Sequence, residues 1–128
     1  MRRTLLLMAL PLMFASCALL EPSGRRFVVF FPNGVAAMDE QGSQVVAGAA
    51  DYARQHTDRV ITVEGFADPT GTASDNAALI HARIDTVAKA LIANGVPATQ
   101  IGRQSGGTPK PALDAQESRR VVVTVGTP

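Results

Sequence analysis

Asp68 and Arg83 are the residues of this chain whose types and spacing could act together chemically. They lie fifteen positions apart, one closing the apolar run ITVEGFAD and one inside the helix-forming residues 77–95. A carboxylate accepts from an ammonium group, and a guanidinium fork grips a carboxylate through two parallel bonds. A ligand carrying both groups on one carbon would use the pair fully, which is amino-acid-like recognition. Backbone amides at a helix N-terminus would favour the ligand's anionic part. Asn76 precedes Arg83 by seven positions, about 700° around a helix at 100° per residue, so the two stack on nearly one face. Taken alone, an aspartate and an arginine also describe a surface ion pair worth about 0–1 kcal/mol.

Other reactive side chains form no recognisable catalytic set. Ser105 lacks the setting of a nucleophile elbow, and Ser74 and Ser118 stand beside no base motif. His56 closes a helix among polar residues and reads as solvated, while His81 lies two positions before Arg83, on the opposite side. Neither forms a metal-ligand spacing. The run Ser105-Gly106-Gly107-Thr108 could cradle a phosphate, but no helix carrying Lys-Ser/Thr follows it, and it reads as loop. The expectation is a non-enzyme with no cofactor and no metal.

At 128 residues the chain fits one small domain. Residues 1–16 have a basic start (Arg2, Arg3), an apolar run from Leu5 to Phe14 and small residues before Cys17, the layout of a secretory signal too short to span a bilayer. Cys17 is the single cysteine, so it has no internal disulfide partner. The stretch before it resembles a bacterial lipobox, which implies cleavage before Cys17 and acylation of it, palmitate included. Ala18 in place of an Asp resembles lipoproteins sent on to the outer membrane. Without the leader the formal charge falls from +1 to about −1. A near-neutral domain with one Tyr, no Trp and no basic run is a poor nucleic-acid binder.

The elements that must position the pair follow in order. Residues 18–24 contain Glu, Pro, Ser and Gly and read as a linker reaching about 23 Å at most. Residues 26–31 (RFVVFF) read as a buried, central first strand, turned by Asn33-Gly34. Met38, Val45, Ala49 and Tyr52 fall at helical spacing in a first helix ending near Arg54, which Gly42 and Gly48 weaken by about 1 kcal/mol each. Residues 59–65 form a second strand, giving a β-α-β unit with a right-handed crossover. Ile80, Ile84, Val87 and Leu91 make one apolar stripe on the second helix, stopped at Asn94-Gly95 and Pro97. Residues 100–104 are a short strand and residues 119–125 (RRVVVTV) a strong last one. The expected fold is α+β: β-α-β-α-β-β, a two-layer sandwich with both helices on one face of a mixed four-stranded sheet.

Gly65-Phe66-Ala67-Asp68-Pro69-Thr70-Gly71 resembles the G-[HYF]-[TA]-D-x-x-G loop of the OmpA-like domain family, the peptidoglycan-associated lipoprotein type. Asn76 and Arg83 fall where that family has its helix asparagine and ligand arginine. Gly107 and Pro111 match a later Gly and Pro, and Ser118-Arg119-Arg120-Val121 resembles an N-R-R-V strand entry. The resemblance implies an OmpA-like domain over residues 25–128, behind a signal peptide (1–16) and a lipidated cysteine with a short linker (17–24). It implies non-covalent binding of peptidoglycan through diaminopimelate of the stem peptide, with Asp68 on the ammonium and Arg83 on the carboxylate. Asn76, Gly71, Asn33 and Arg119 would complete the site. The chain would then be an outer-membrane lipoprotein, held by lipid on Cys17, with its domain in the periplasm.

The chain departs from the family pattern where Phe31-Pro32-Asn33-Gly34 lacks an acidic residue, where Ser118 replaces an Asn, and where Thr108 replaces a common Glu. Pro32 also removes a backbone donor. These departures and the short linker fit an alternative: an OmpA-like adaptor lipoprotein that binds an envelope protein partner and little or no peptidoglycan.

Overall fold

The computed structural model describes residues 24–68, 70–108 and 118–127. The leader, Cys17 and its lipidation, the linker before Gly24, Pro69 and Pro111 lie outside the described residues. The described elements run β1 (Gly24–Phe30), α1 (Glu40–Arg54), β2 (Val60–Phe66), α2 (Ala73–Ala93), a 3-10 turn (Ala98–Gln100), β3 (Ile101–Gly107) and β4 (Arg120–Gly126). The sheet order is β1-β4-β2-β3, with β4 antiparallel to both neighbours and β2 parallel to β3. This is the expected α+β arrangement with a mixed four-stranded sheet.

Strand order corrects the reading of the first strand. β4 carries the densest β-branched run and inserts between β1 and β2, so the β-α-β pair is parallel in direction but not adjacent. β1 is therefore an edge strand. Val29 is its one buried residue, and Phe30 is 43% exposed. Gly24, assigned to the linker from sequence, already pairs with Gly126.

Both helices cover the face that presents Val29, Ile61, Val63, Val121, Val123 and Val125, all buried in one cluster with residues of α1 and α2. Asp39 caps α1, its Oδ1 accepting from the Gly42 amide at 2.7 Å, and Glu40 in the first turn suits the helix dipole. The buried face of α1 is Gly42, Val46, Ala49, Ala50 and Ala53. Of the expected stripe only Ala49 lies at its centre; Met38, Val45 and Tyr52 flank it, partly buried. Small residues win the central positions because they let α1 sit close to the sheet.

α2 keeps its expected stripe: Ile80, Ile84, Val87 and Leu91 are all buried. At Gly65 the helix nearly touches β2, since a Cβ there would stand 2.8 Å from Ile84 Cγ1 and 3.1 Å from Ile80 Cγ2. The helix starts at Ala73, four positions before the first residue expected in it, because Thr72 caps it and its Oγ1 accepts from the Asp75 amide at 3.1 Å. It stops as expected at Asn94-Gly95, where the Gly95 and Val96 amides donate to Ile92 and Leu91 in a Schellman arrangement. The glycine-rich residues 105–107 are strand rather than loop: they extend β3, and the Phe66 ring lies over Gly106, where a Cβ would meet it at 2.3 Å. Among the described residues, every member of the core cluster lies between Val29 and Val125, so the described core is contained within residues 24–128.

Candidate functional site

Arg83 is the charged member of α2's buried face, fully buried at 0% exposure beside Ile84 and Val87. Its Nε donates to the Val35 carbonyl and its Nη2 to the Pro32 carbonyl, both at 2.9 Å, and its guanidinium carbon lies 5.3 Å from the Phe31 ring centroid. Nη1 is buried with no hydrogen-bond partner among the described residues. A guanidinium has five donors, so both of Nη1's and one of Nη2's remain uncommitted. Burial pulls the guanidinium pKa below its ordinary value, the like charge of Arg119 pushes the same way, and Asp68 partly offsets both. A cation kept here without a full set of partners is the feature of the fold that asks for an anion.

The two carbonyls come from one turn. Val35 donates back to the Pro32 carbonyl at 3.3 Å, and Gly34 has φ of +67° with no positive φ at Asn33, as a type II turn requires. Pro32 thus serves through its carbonyl, and its missing N–H is not called on.

Asp68 closes the opposite wall at 8% exposure. Its Oδ1 accepts from the Thr70 amide at 3.1 Å and from the Thr70 hydroxyl, and its Oδ2 faces Arg119 Nη1 at 3.5 Å. The Thr70 hydroxyl holds the carboxyl below its ordinary pKa; burial opposes this, while the Thr70 amide and Arg119 reinforce it. Asn76 Nδ2 donates to the Asp68 carbonyl at 3.2 Å, which ties the loop to the first turn of α2. Arg119 Nε donates to the Phe31 carbonyl at 3.3 Å, so this residue bridges the end of β1 to the aspartate.

Asp68, Arg83, Asn76, Asn33 and Arg119 all line one cavity of about 190 Å³, equal to roughly six waters at about 30 Å³ each. Gly71 stands behind Asn76, 3.7 Å from its Oδ1 as measured from a built Cβ, and not in the lining. Thr70, Asp75 and Leu79 also line the cavity and were not singled out from sequence. Leu79 had a signal, since Asn76, Leu79 and Arg83 share one helix face at i, i+3 and i+7. Chemically the cavity offers two guanidinium groups (Arg83, Arg119), two carboxylates (Asp68, Asp75) and the apolar side chains of Ala67 and Leu79.

A larger cleft of about 380 Å³ lies between α2 and β3, lined by residues including His81, Asp85, Arg103 and Ser105. Its charges are already satisfied, because Asp85 is paired with both Lys89 and Arg103. Among the described residues no hydrogen bond joins Ser105 to His81, and no cluster of three His, Cys, Asp or Glu could hold a metal. His56 is half-buried rather than solvated: its Nδ1 is 2.7 Å from the Tyr52 carbonyl, and its ring packs on Tyr52 at 4.1 Å.

The profile of the OmpA family matches residues 30–122. The probable lipoprotein YiaD of Escherichia coli K-12 is 30% identical over 115 residues, 80% of this chain and 52% of that one. The peptidoglycan-associated lipoprotein of Agrobacterium fabrum is 29% identical over 104 residues, 77% of this chain and 59% of that one. The chain thus spans little more than half the length of these relatives. Among solved structures, the peptidoglycan-associated lipoprotein from Burkholderia pseudomallei superposes with a TM-score of 0.70 at 28% identity, over 77% of this chain and 88% of that one.

Proposed function

The chain belongs to the OmpA family, and from that membership we propose that its domain binds peptidoglycan non-covalently, gripping diaminopimelate of the stem peptide. Asp68 accepts from the ammonium of the diaminopimelate head, and Arg83 takes its carboxylate. Asn76 and Gly71 hold the loop that presents Asp68, while Asn33 and Arg119 complete the wall. The observation that carries this reading is the buried Arg83, its Nη1 without a hydrogen-bond partner among the described residues, in the same cavity as Asp68. Relatives named as lipoproteins support the further proposal that residues 1–16 are a cleaved signal and that lipid on Cys17 anchors the chain to the outer membrane, with the domain in the periplasm. The role is tethering of envelope to wall, a binding function rather than a catalytic one.

The test is sedimentation of residues 24–128 with diaminopimelate-type peptidoglycan. Arg83→Ala would strand two carbonyls as well as empty the site, so the informative variants are Asp68→Asn and Arg83→Lys, which keep size or charge but lose the carboxylate or the fork. Each is expected to abolish co-sedimentation while remaining folded by circular dichroism. A soluble diaminopimelate tripeptide should compete, and its lysine counterpart, lacking the second carboxylate, should not. Co-sedimentation retained by both folded variants would refute the two-charge grip, and folded wild type that stays in solution would refute wall binding.

A further inference from the structure

The strand registers give the domain two poles. Gly24 at the start of β1 and Val60 at the start of β2 both pair with Gly126 at the end of β4. Both helices finish at this pole, where Arg54 of α1 donates to the Asn94 carbonyl at the end of α2. The candidate site is built from the other ends of the same elements. The strands are seven residues long, so about 20 Å separates the poles at roughly 3.3 Å per residue.

Charge differs between the poles. Asp39, Glu40, Asp68 and Asp75 lie toward the site together with Arg83, Arg119 and Arg120, so that end carries both signs. At the far pole stand Arg25, Arg26, Arg54 and Arg59 against Asp51 and Asp58. Asp51 is taken by Arg54, whereas Arg25, Arg26 and Arg59 have no carboxylate within salt-bridge distance among the described residues. Tyr52 organises two of them instead. The Arg25 guanidinium lies 5.1 Å from its ring centroid and 5.3 Å from that of Phe27; Arg59 lies 5.9 Å away and donates to the Tyr52 hydroxyl at 3.3 Å. Such contacts fix guanidinium groups in place without neutralising them. Aromatic bodies beside cationic tips also suit a membrane interface.

We propose that this arginine pole docks on an anionic phospholipid surface. The occupant follows from where the chain enters. Gly24 leads back to Cys17 over a span of at most about 23 Å, so on the anchoring proposed above, on which this inference rests, the nearest extended surface is the anchoring membrane. Its phosphates supply the complementary charge. Each arginine close to an anionic bilayer adds roughly fivefold to partition, and salt screens the gain. Seated this way, the domain turns Asp68 and Arg83 away from the membrane.

Residues 24–128, without any acyl chain, can be sedimented at low salt with phosphatidylcholine vesicles with and without phosphatidylglycerol. Partition is expected only with phosphatidylglycerol and should be lost on adding salt. Arg25→Ala/Arg26→Ala should lower it about 25-fold, Arg25→Lys/Arg26→Lys should retain it, and Asp68→Asn should leave it unchanged. Arg26→Ala alone, which touches no ring, should lower it about fivefold and serves if the double variant misfolds. Folded wild type that ignores phosphatidylglycerol, or an alanine variant that partitions like wild type, would overturn the proposal. So would loss of peptidoglycan sedimentation in the alanine variant with vesicle binding intact, which would assign the pole to the wall. The vesicles contain no peptidoglycan, so failure of the wall-binding reading leaves this result interpretable.

Discussion

Asp68 carries the site's pH dependence. Its carboxyl sits below the ordinary 3.8 because the Thr70 hydroxyl, the Thr70 amide and Arg119 all favour the charged form over the cost of burial. The unfolded chain therefore binds this proton more readily than the folded one, and the stability Asp68 contributes is complete above its unfolded value and lost as pH falls through the lower folded value. Thermal denaturation of wild type and Asp68→Asn across pH should show a constant gap above about pH 5 that narrows in more acid solution. A gap that stays constant into the acid range would show that Asp68 gains nothing from Thr70 and Arg119. At this scale the sequence was informative about which side chains come together. Asp68, Asn76 and Arg83 sit at motif spacing, and they share the cavity. It was silent where backbone acts: nothing in the identity of Pro32 or Val35 says that their carbonyls would be aimed at a guanidinium. The Arg119 bridge from Phe31 to Asp68 was equally hidden, because it depends on strand order.

The position of α2 on β2 sets the distance between Asp68 and Arg83, and Gly65 sets that position. Gly65→Ala would place a methyl carbon 2.8 Å from Ile84 Cγ1, a contact the mid-chain atom of a buried isoleucine cannot yield without moving the helix. A loss of about 1–3 kcal/mol by chemical denaturation is expected. Because the same shift displaces Arg83 relative to the loop three residues beyond Gly65, peptidoglycan retention should weaken even where the variant remains folded. A stability loss under about 0.5 kcal/mol, the range of ordinary surface changes, would mean that α2 does not rest on Gly65. Elements with a strong period were legible: the Ile80, Ile84, Val87 and Leu91 stripe and the RRVVVTV strand are where they were expected. Strand order was not, since periodicity says which face is apolar but not which strand lies beside which. That is why β1 was expected at the centre and stands at the edge. The glycines of residues 105–107 read as loop by composition, yet the segment pairs with Gly65 and Phe66 of β2 as strand, and Gly106 leaves room for the Phe66 ring.

For the molecule as a whole, the decisive quantity is reach. On the anchoring proposed for Cys17, the tether spans at most about 23 Å, and the seven-residue strands add roughly another 20 Å before the site begins. On the wall binding proposed above, Asp68 and Arg83 therefore work within about 45 Å of the lipid, and only wall lying inside that radius is available to them. The site's intrinsic affinity does not depend on this length, but the fraction of molecules engaged in a cell does. Inserting about ten Gly/Ser residues before Gly24 adds a flexible segment whose end-to-end distance grows as about 5–6 Å times the square root of its length. Sedimentation of the soluble protein with purified peptidoglycan should be the same with and without the insert. Recovery of the lipidated protein with the wall after crosslinking in cells should rise, because the insert brings wall beyond the original radius into range. Unchanged recovery in cells, with binding in solution intact, would show that the wall already lies within reach and that the short tether does not limit engagement.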